Sequence, residues 1–156
     1  MTSLDLGVVG NCSIGALIDF SARMVWCCQP RFDGDPVFCH LLGNETLGED
    51  GAFTVELEGF AASEQFYVRN SAVLTTRLTD DEGNAVDVID FAPRFDLHGR
   101  RFRPMTIIRR IMPVQGSPRV RIRLRPRYDY GAVTPRITHG SNHIRYAGPD
   151  LTLRLT

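Results

Sequence analysis

Apolar residues in this chain fall in short runs, at 6–9, 14–18, 24–28, 53–57, 66–69, 73–79, 85–91, 105–112, 119–127, 136–139, 143–146 and 151–153. None carries a sustained helical stripe, and several alternate apolar with polar positions. That period of two belongs to strands, whose successive side chains take opposite faces. Segments 19–23, 80–84 and 139–142 each lie between two runs and carry the small or polar residues that a hairpin turn requires. The rhythm predicts an all-β, antiparallel two-sheet β-sandwich of about a dozen strands. Only 36–42 has helical character, opened by Pro36 and stopped at Gly43, so at most one short helix is expected, of a turn or two.

The clearest segment is 119–125, where Arg119, Arg121, Arg123 and Arg125 alternate with Val120, Ile122 and Leu124. As a strand it has one guanidinium face and one aliphatic face. Such a face suits pairing with carboxylates on neighbouring strands, such as Glu56, Glu58 or Asp87, or docking of an acidic partner, or a nucleic-acid backbone.

Charge narrows these uses. The 156 residues include 18 arginines, no lysine and 18 carboxylates, for a net charge of zero. A general nucleic-acid or membrane-surface binder carries a basic excess, so neither partner is expected. The sum conceals a split: residues 1–90 hold four arginines against fifteen carboxylates (net −11), and residues 91–156 hold fourteen against three (net +11). Apolar alternation runs through both halves, so the charges are expected to pair inside one sheet system. With 43% apolar residues, residues 1–156 suffice for a single domain that folds without cross-links. The N-terminus lacks the basic region and unbroken apolar core of a signal peptide, and no apolar run is long enough to span a bilayer. A cytoplasmic protein is expected. Cys12, Cys27, Cys28 and Cys39 have no CxxC spacing and read as small buried hydrophobes; no metal site or cofactor is expected.

Candidate chemistry is sparse. Asp33/Asp35, Glu56/Glu58, Asp80/Asp81 and Asp87/Asp90 are close in sequence, but glycoside hydrolysis needs a carboxylate pair held across a cleft, and these read as solvated faces and turns. No nucleophile elbow, metal-binding helix or phosphate loop is present. Segment 26–38 stands out, with Trp26, Arg31, Phe32, Asp33, Asp35 and Phe38 bounded by Pro30 and Pro36. Aromatic, arginine and carboxylate together suit a protein interface or a sugar-contacting surface. Arg31, Phe32, Asp33 and Asp35 are therefore the candidate interdomain or substrate-side residues, and Trp26 and Tyr128 the candidate sugar-stacking rings.

At this loop the sequence resembles the N-terminal domain of bacterial and archaeal glycoside hydrolase family 15 enzymes, the glucoamylase-like and trehalase-like proteins. The matching segments are Leu6-Gly-Val-Val-Gly-Asn-Cys12, Met24-Val-Trp-Cys-Cys-Gln-Pro-Arg-Phe-Asp33 with Pro36-Val-Phe38, Asn70-Ser-Ala-Val-Leu-Thr-Thr76, Val86-Asp-Val-Ile-Asp-Phe-Ala-Pro93, and Ile108-Arg-Arg110 leading to Arg125-Pro-Arg-Tyr-Asp-Tyr-Gly131. The resemblance implies a β-sandwich that precedes an (α/α)6 barrel, and the barrel supplies the general acid and base of an inverting hydrolysis. No residue here matches the catalytic glutamates of that family. The resemblance thus implies a non-catalytic accessory domain of a split or truncated enzyme. Its partners would be the barrel, an α-glucoside such as trehalose or a maltooligosaccharide, and possible homo-oligomers through the face a barrel would cover. The alternative is a stand-alone carbohydrate-binding module.

Overall fold

The computed structural model describes residues 4–43 and 50–156. The first sheet orders β1 (Gly7–Gly10), β2 (Gly15–Ile18), β3 (Met24–Cys28), β5 (Ala52–Leu57) and β12 (Val120–Arg125) side by side, with β4 (Pro36–Cys39) also paired to β3. The second runs β11 (Ile108–Gln115), β8 (Ala85–Phe91), β7 (Leu74–Asp80) and β6 (Phe60–Tyr67). Beside them stand a two-stranded ribbon, β9 (Phe95–Leu97) with β10 (Arg100–Phe102), and a small sheet of β13 (Arg136–His139), β14 (Ile144–Ala147) and β15 (Thr152–Leu155). All the pairings are antiparallel. The protein is the all-β sandwich that the turn spacing predicts. Among the described residues no helix is long and apolar enough to cross a membrane.

Alternation places one side chain in two from each sheet into the space between them. Val9, Ile18, Met24, Cys27, Val37 and Phe38 of the first sheet meet Leu74 of the second. Further along, Val55 and Leu57 meet Leu78, Val86 and Val88. Cys27, Cys28 and Cys39 are buried as expected, and burial pushes the Cys27 thiol up to about 12. Cys12 departs from that expectation: it sits exposed on the β1–β2 turn at φ +70°.

One ion pair lies inside this core. Arg109 on β11 faces Asp90 on β8 in register, with side chains 3% and 0% exposed. Its Nε and Nη2 donate to the two carboxylate oxygens at 2.7 and 3.1 Å, and Nη1 donates to the Phe53 carbonyl of the opposite sheet at 2.8 Å. The guanidinium also lies 4.7 Å from the centroid of the Phe53 ring, a cation–π contact that again joins the two sheets. The acidic and basic halves meet elsewhere too, through Arg123 with Glu56 at 3.1 Å and Arg127 with Asp50 at 2.6 Å.

The three hairpin turns form at the expected positions. Asp19 accepts the Ser21 and Arg23 N–H groups on Oδ1 and the Arg23 guanidinium on Oδ2. Asp80 does the same work for its turn, accepting the Glu82 and Asn84 N–H groups and the Asn84 amide. Gly140 closes the third by donating to the His143 carbonyl. The helix expected over 36–42 does not form as such. Residues 36–39 are strand β4, buried throughout and paired with β3, and only His40–Leu42 makes a 3-10 turn, ended by Gly43 at φ +51°. Burial and the free hydrogen-bonding side of β3 outweigh the local helix signal. One flank of the sandwich is clamped by β6: the Tyr67 hydroxyl accepts from Val8 N–H at 2.7 Å and donates to Val8 O at 2.9 Å, and Gln65 donates to the Asp19 carbonyl and to Thr76. These bonds cover the outer edge of β1, where unpaired backbone would otherwise invite another chain.

Two predictions follow from these contacts. Arg109→Met leaves a buried unpaired carboxylate and is expected to cost about 3–5 kcal/mol in urea unfolding, while Arg109→Met with Asp90→Leu recovers most of that loss. A double variant no more stable than the single one would show the pair is not the unit of stabilisation. Asp80 is held below the usual carboxylate range by the Asn84 side chain, with backbone N–H groups of the turn adding to it against desolvation. A carboxylate depressed in this way stabilises the fold above its unfolded pKa of about 3.9 and loses that contribution as pH falls through the folded value. Asp80→Asn is expected to lower stability at neutral pH and to flatten the acid limb of an unfolding-versus-pH curve.

Candidate functional site

Four loops, spread in sequence from Asn11 to Gly131, meet at one end of the sandwich. The turn between β1 and β2 contributes Asn11, which is 2% exposed. Its Oδ1 accepts the Ser13 and Ile14 N–H groups, and its Nδ2 donates to the carbonyls of Pro93 at 3.0 Å and Pro104 at 2.9 Å, on either side of the β9–β10 ribbon. All four hydrogen-bonding positions of a buried amide are thereby used, which a lone Asn needs if its burial is to cost nothing. Arg94 reaches the same turn, donating to Cys12 Sγ at 3.4 Å.

The loop from β3 to β4 docks on this turn through Phe32 N–H, which donates to the Ser13 carbonyl at 2.8 Å. Arg31 grips Asp33 with Nε and Nη2 at 2.9 and 2.8 Å, a bidentate pair that sets the loop's outer shape and holds the Asp33 carboxyl below its usual range. Both side chains stay exposed, and Phe32 between them is 65% exposed. Asp35 faces the 3-10 turn Asp129–Gly131, whose Tyr130 is also exposed. The charge of Asp35, followed by hydrogen bonding to it, pushes the Tyr130 phenol above the ordinary tyrosine range. Three successive residues of that turn, Asp129, Tyr130 and Gly131, hold φ of +49°, +50° and +102°. Left-handed backbone at two non-glycine residues stores strain, which persists only where the surroundings dictate the shape.

The ribbon completes this end. Phe95 and Phe102 stack with centroids 5.5 Å apart, and Arg101 pairs with Asp96 at 2.9 Å. Residues 94–103 are all exposed. A two-stranded ribbon of this kind gains little from its own contacts in water, so its apolar rings suit a surface that covers them.

Asp33, Asp80 and Asp96 are all held below the usual range by hydrogen-bonding partners, first among them Arg31, Asn84 and Arg101, which is the reverse of the raised carboxylate a general acid needs. Asp87 and Asp90 are each clasped by an arginine, and Glu56 by Arg123. Among the described residues no group of three or more His, Cys, Asp and Glu side chains is arranged to hold a metal ion.

The chain matches, over residues 4–156, the family described as trehalase-like, N-terminal. It belongs to that family. A trehalase-like N-terminal domain also accounts for the second comparison: the chain is 30% identical over 144 residues, 92% of its length, to Trehalase 1 of Sulfolobus acidocaldarius, but spans only 23% of that protein. No solved structure matches it. The chain is thus similar to one end of a larger trehalase-like protein.

Within this trehalase-like domain the structure sorts the candidate residues. Arg31, Phe32, Asp33 and Asp35 come together with Asn11, Tyr130 and the ribbon. Trp26 is apart from them, half-buried in mid-strand β3 opposite Leu17 and Cys39. Tyr128 is 7% exposed, its hydroxyl donates to the Tyr146 carbonyl at 2.8 Å, and its ring lies against Gly148, where a Cβ would stand 2.7 Å from Tyr128 Cδ2. A ring so covered has no open face for a sugar. Asn11 and Tyr130 join the candidate residues on geometry; both lie in segments that carry the family resemblance.

The Tyr130–Asp35 contact has a direct test. Phenolate absorbance on alkaline titration is expected to show Tyr128, Tyr130 and Tyr146 ionising late, and Asp35→Asn to return one of these three toward the ordinary range. A titration that Asp35→Asn leaves unchanged would dissociate the two loops.

Proposed function

We propose that this domain is the non-catalytic N-terminal part of an inverting, glucoamylase-like and trehalase-like glycoside hydrolase of family 15, acting in the cytoplasm on an α-glucoside. Its loop end packs against an (α/α)6 catalytic unit and helps shape the entrance to the active site. One observation carries this reading. The loop end gathers exposed Phe32, Phe95, Phe102 and Tyr130 with the exposed Arg31–Asp33 and Arg101–Asp96 pairs, on backbone held by Asn11 and by a strained turn. Aromatic anchors and arginines on a rigid base are the make-up of an interface centre, and interdomain surfaces resemble transient protein interfaces. The family match and the small share of Trehalase 1 that the chain spans support the placement beside a larger catalytic unit.

In full-length Trehalase 1, alanine at the positions aligned with Arg31, Phe32 and Asp33 is expected to lower thermal stability and to weaken turnover of trehalose by about tenfold, as loss of an interface anchor does. Unchanged stability and turnover would remove the interface role. A calorimetric titration of the present chain with trehalose and maltooligosaccharides is expected to show neither binding nor hydrolysis. Binding would instead favour a carbohydrate-binding module built on the exposed ring of Phe32.

A further inference from the structure

The arginine-bearing strand β12 has a use that the loop end does not absorb. It is the last strand of the first sheet, and among the described residues no strand pairs along its outer side. Glu58 N–H donates to the Arg119 carbonyl, and Val120 stands opposite Leu57, so the arginine backbones face β5. The N–H and C=O groups of Val120, Ile122 and Leu124 therefore point outward in alternation, as a template for another strand.

Both side-chain faces extend that template. The aliphatic face is left open, with Val120 37% and Ile122 49% exposed although they lie on the core side of the sheet. On the other face Arg123 and Arg125 reach Glu56 and Asp50, whereas Arg119 and Arg121 form no ion pair with a carboxylate among the described residues. Natural edges are blunted by charge, and here the charge selects rather than blocks. A second copy of β12 laid antiparallel would set arginine against arginine, and like charges directly opposite are destabilising. A strand with carboxylates at alternate positions meets guanidinium forks suited to bidentate pairing, and its apolar residues fall beside Val120 and Ile122. Positive and negative selection then act at one edge.

We propose that β12 is a strand-addition edge that accepts an extended acidic segment of a partner polypeptide, with carboxylates at alternate residues and β-branched residues between. Backbone hydrogen bonds supply affinity and the arginines supply choice.

The test uses a labelled, end-blocked peptide of alternating Glu and Val, followed by fluorescence anisotropy with the full chain. Binding is expected to weaken by about tenfold or more when Glu is replaced by Lys, or when Arg119→Glu and Arg121→Glu are combined in the chain. The same loss is expected when alternate peptide amides are N-methylated, which spares charge and removes strand pairing. Hydrogen exchange should slow at the Val120, Ile122 and Leu124 amides. Equal binding by the N-methylated peptide, or no slowing at those amides, would overturn strand addition. Equal binding by the Lys peptide would overturn the acidic partner. Circular dichroism of the doubly substituted chain, matched to the parent, shows that any loss is not unfolding.

Discussion

A guanidinium enclosed between two sheets is the constraint on which this sandwich depends. Arg109 is satisfied only if Asp90 stands beside it in register, the Phe53 carbonyl meets it from the opposite sheet and the Phe53 ring lies under it. A slip of one residue in β8 or β11 would turn one partner to the other face and leave a charge in apolar surroundings, at a cost well above that of a misplaced aliphatic residue. Aliphatic contacts such as Val88 with Val55 tolerate many arrangements; the ion pair accepts one. It supplies specificity where the hydrophobic core supplies most of the driving force.

The same logic governs how much could be read from sequence. Turns announced themselves, because Asp19 and Asp80 act within four residues of where they stand. The sandwich was legible from period two. The partner of Arg109 was not, since any of sixteen upstream carboxylates could have served and only the β8–β11 register chooses Asp90. Residues 36–39 carried a helix-like start, yet the free side of β3 takes them as a strand. Tyr128 looked available because Gly148, twenty residues further on, is what closes over its ring. In each case the deciding contact lies outside the window in which composition and period operate.

The enclosed and the solvated ion pairs occupy different parts of the molecule. The enclosed Arg109–Asp90 pair and the half-buried Arg77–Asp87 pair both lie within the second sheet, joining β8 to β11 and to β7. Those at Arg31 and Arg101 lie on the loop end, where they shape exposed backbone and, being solvated, contribute little stability. The edges divide likewise. One flank is clasped by Tyr67 and the other ends on the arginine-bearing β12, along whose outer side no strand pairs among the described residues.

Asn11 ties the ribbon to the rest of the loop end. Both roots of the ribbon, at Pro93 and Pro104, hang on one amide group, and the same short turn offers the Ser13 carbonyl to Phe32. Two projections far apart in sequence, the ribbon and the Arg31–Asp33 loop, thus share one anchor in the Asn11–Ser13 turn.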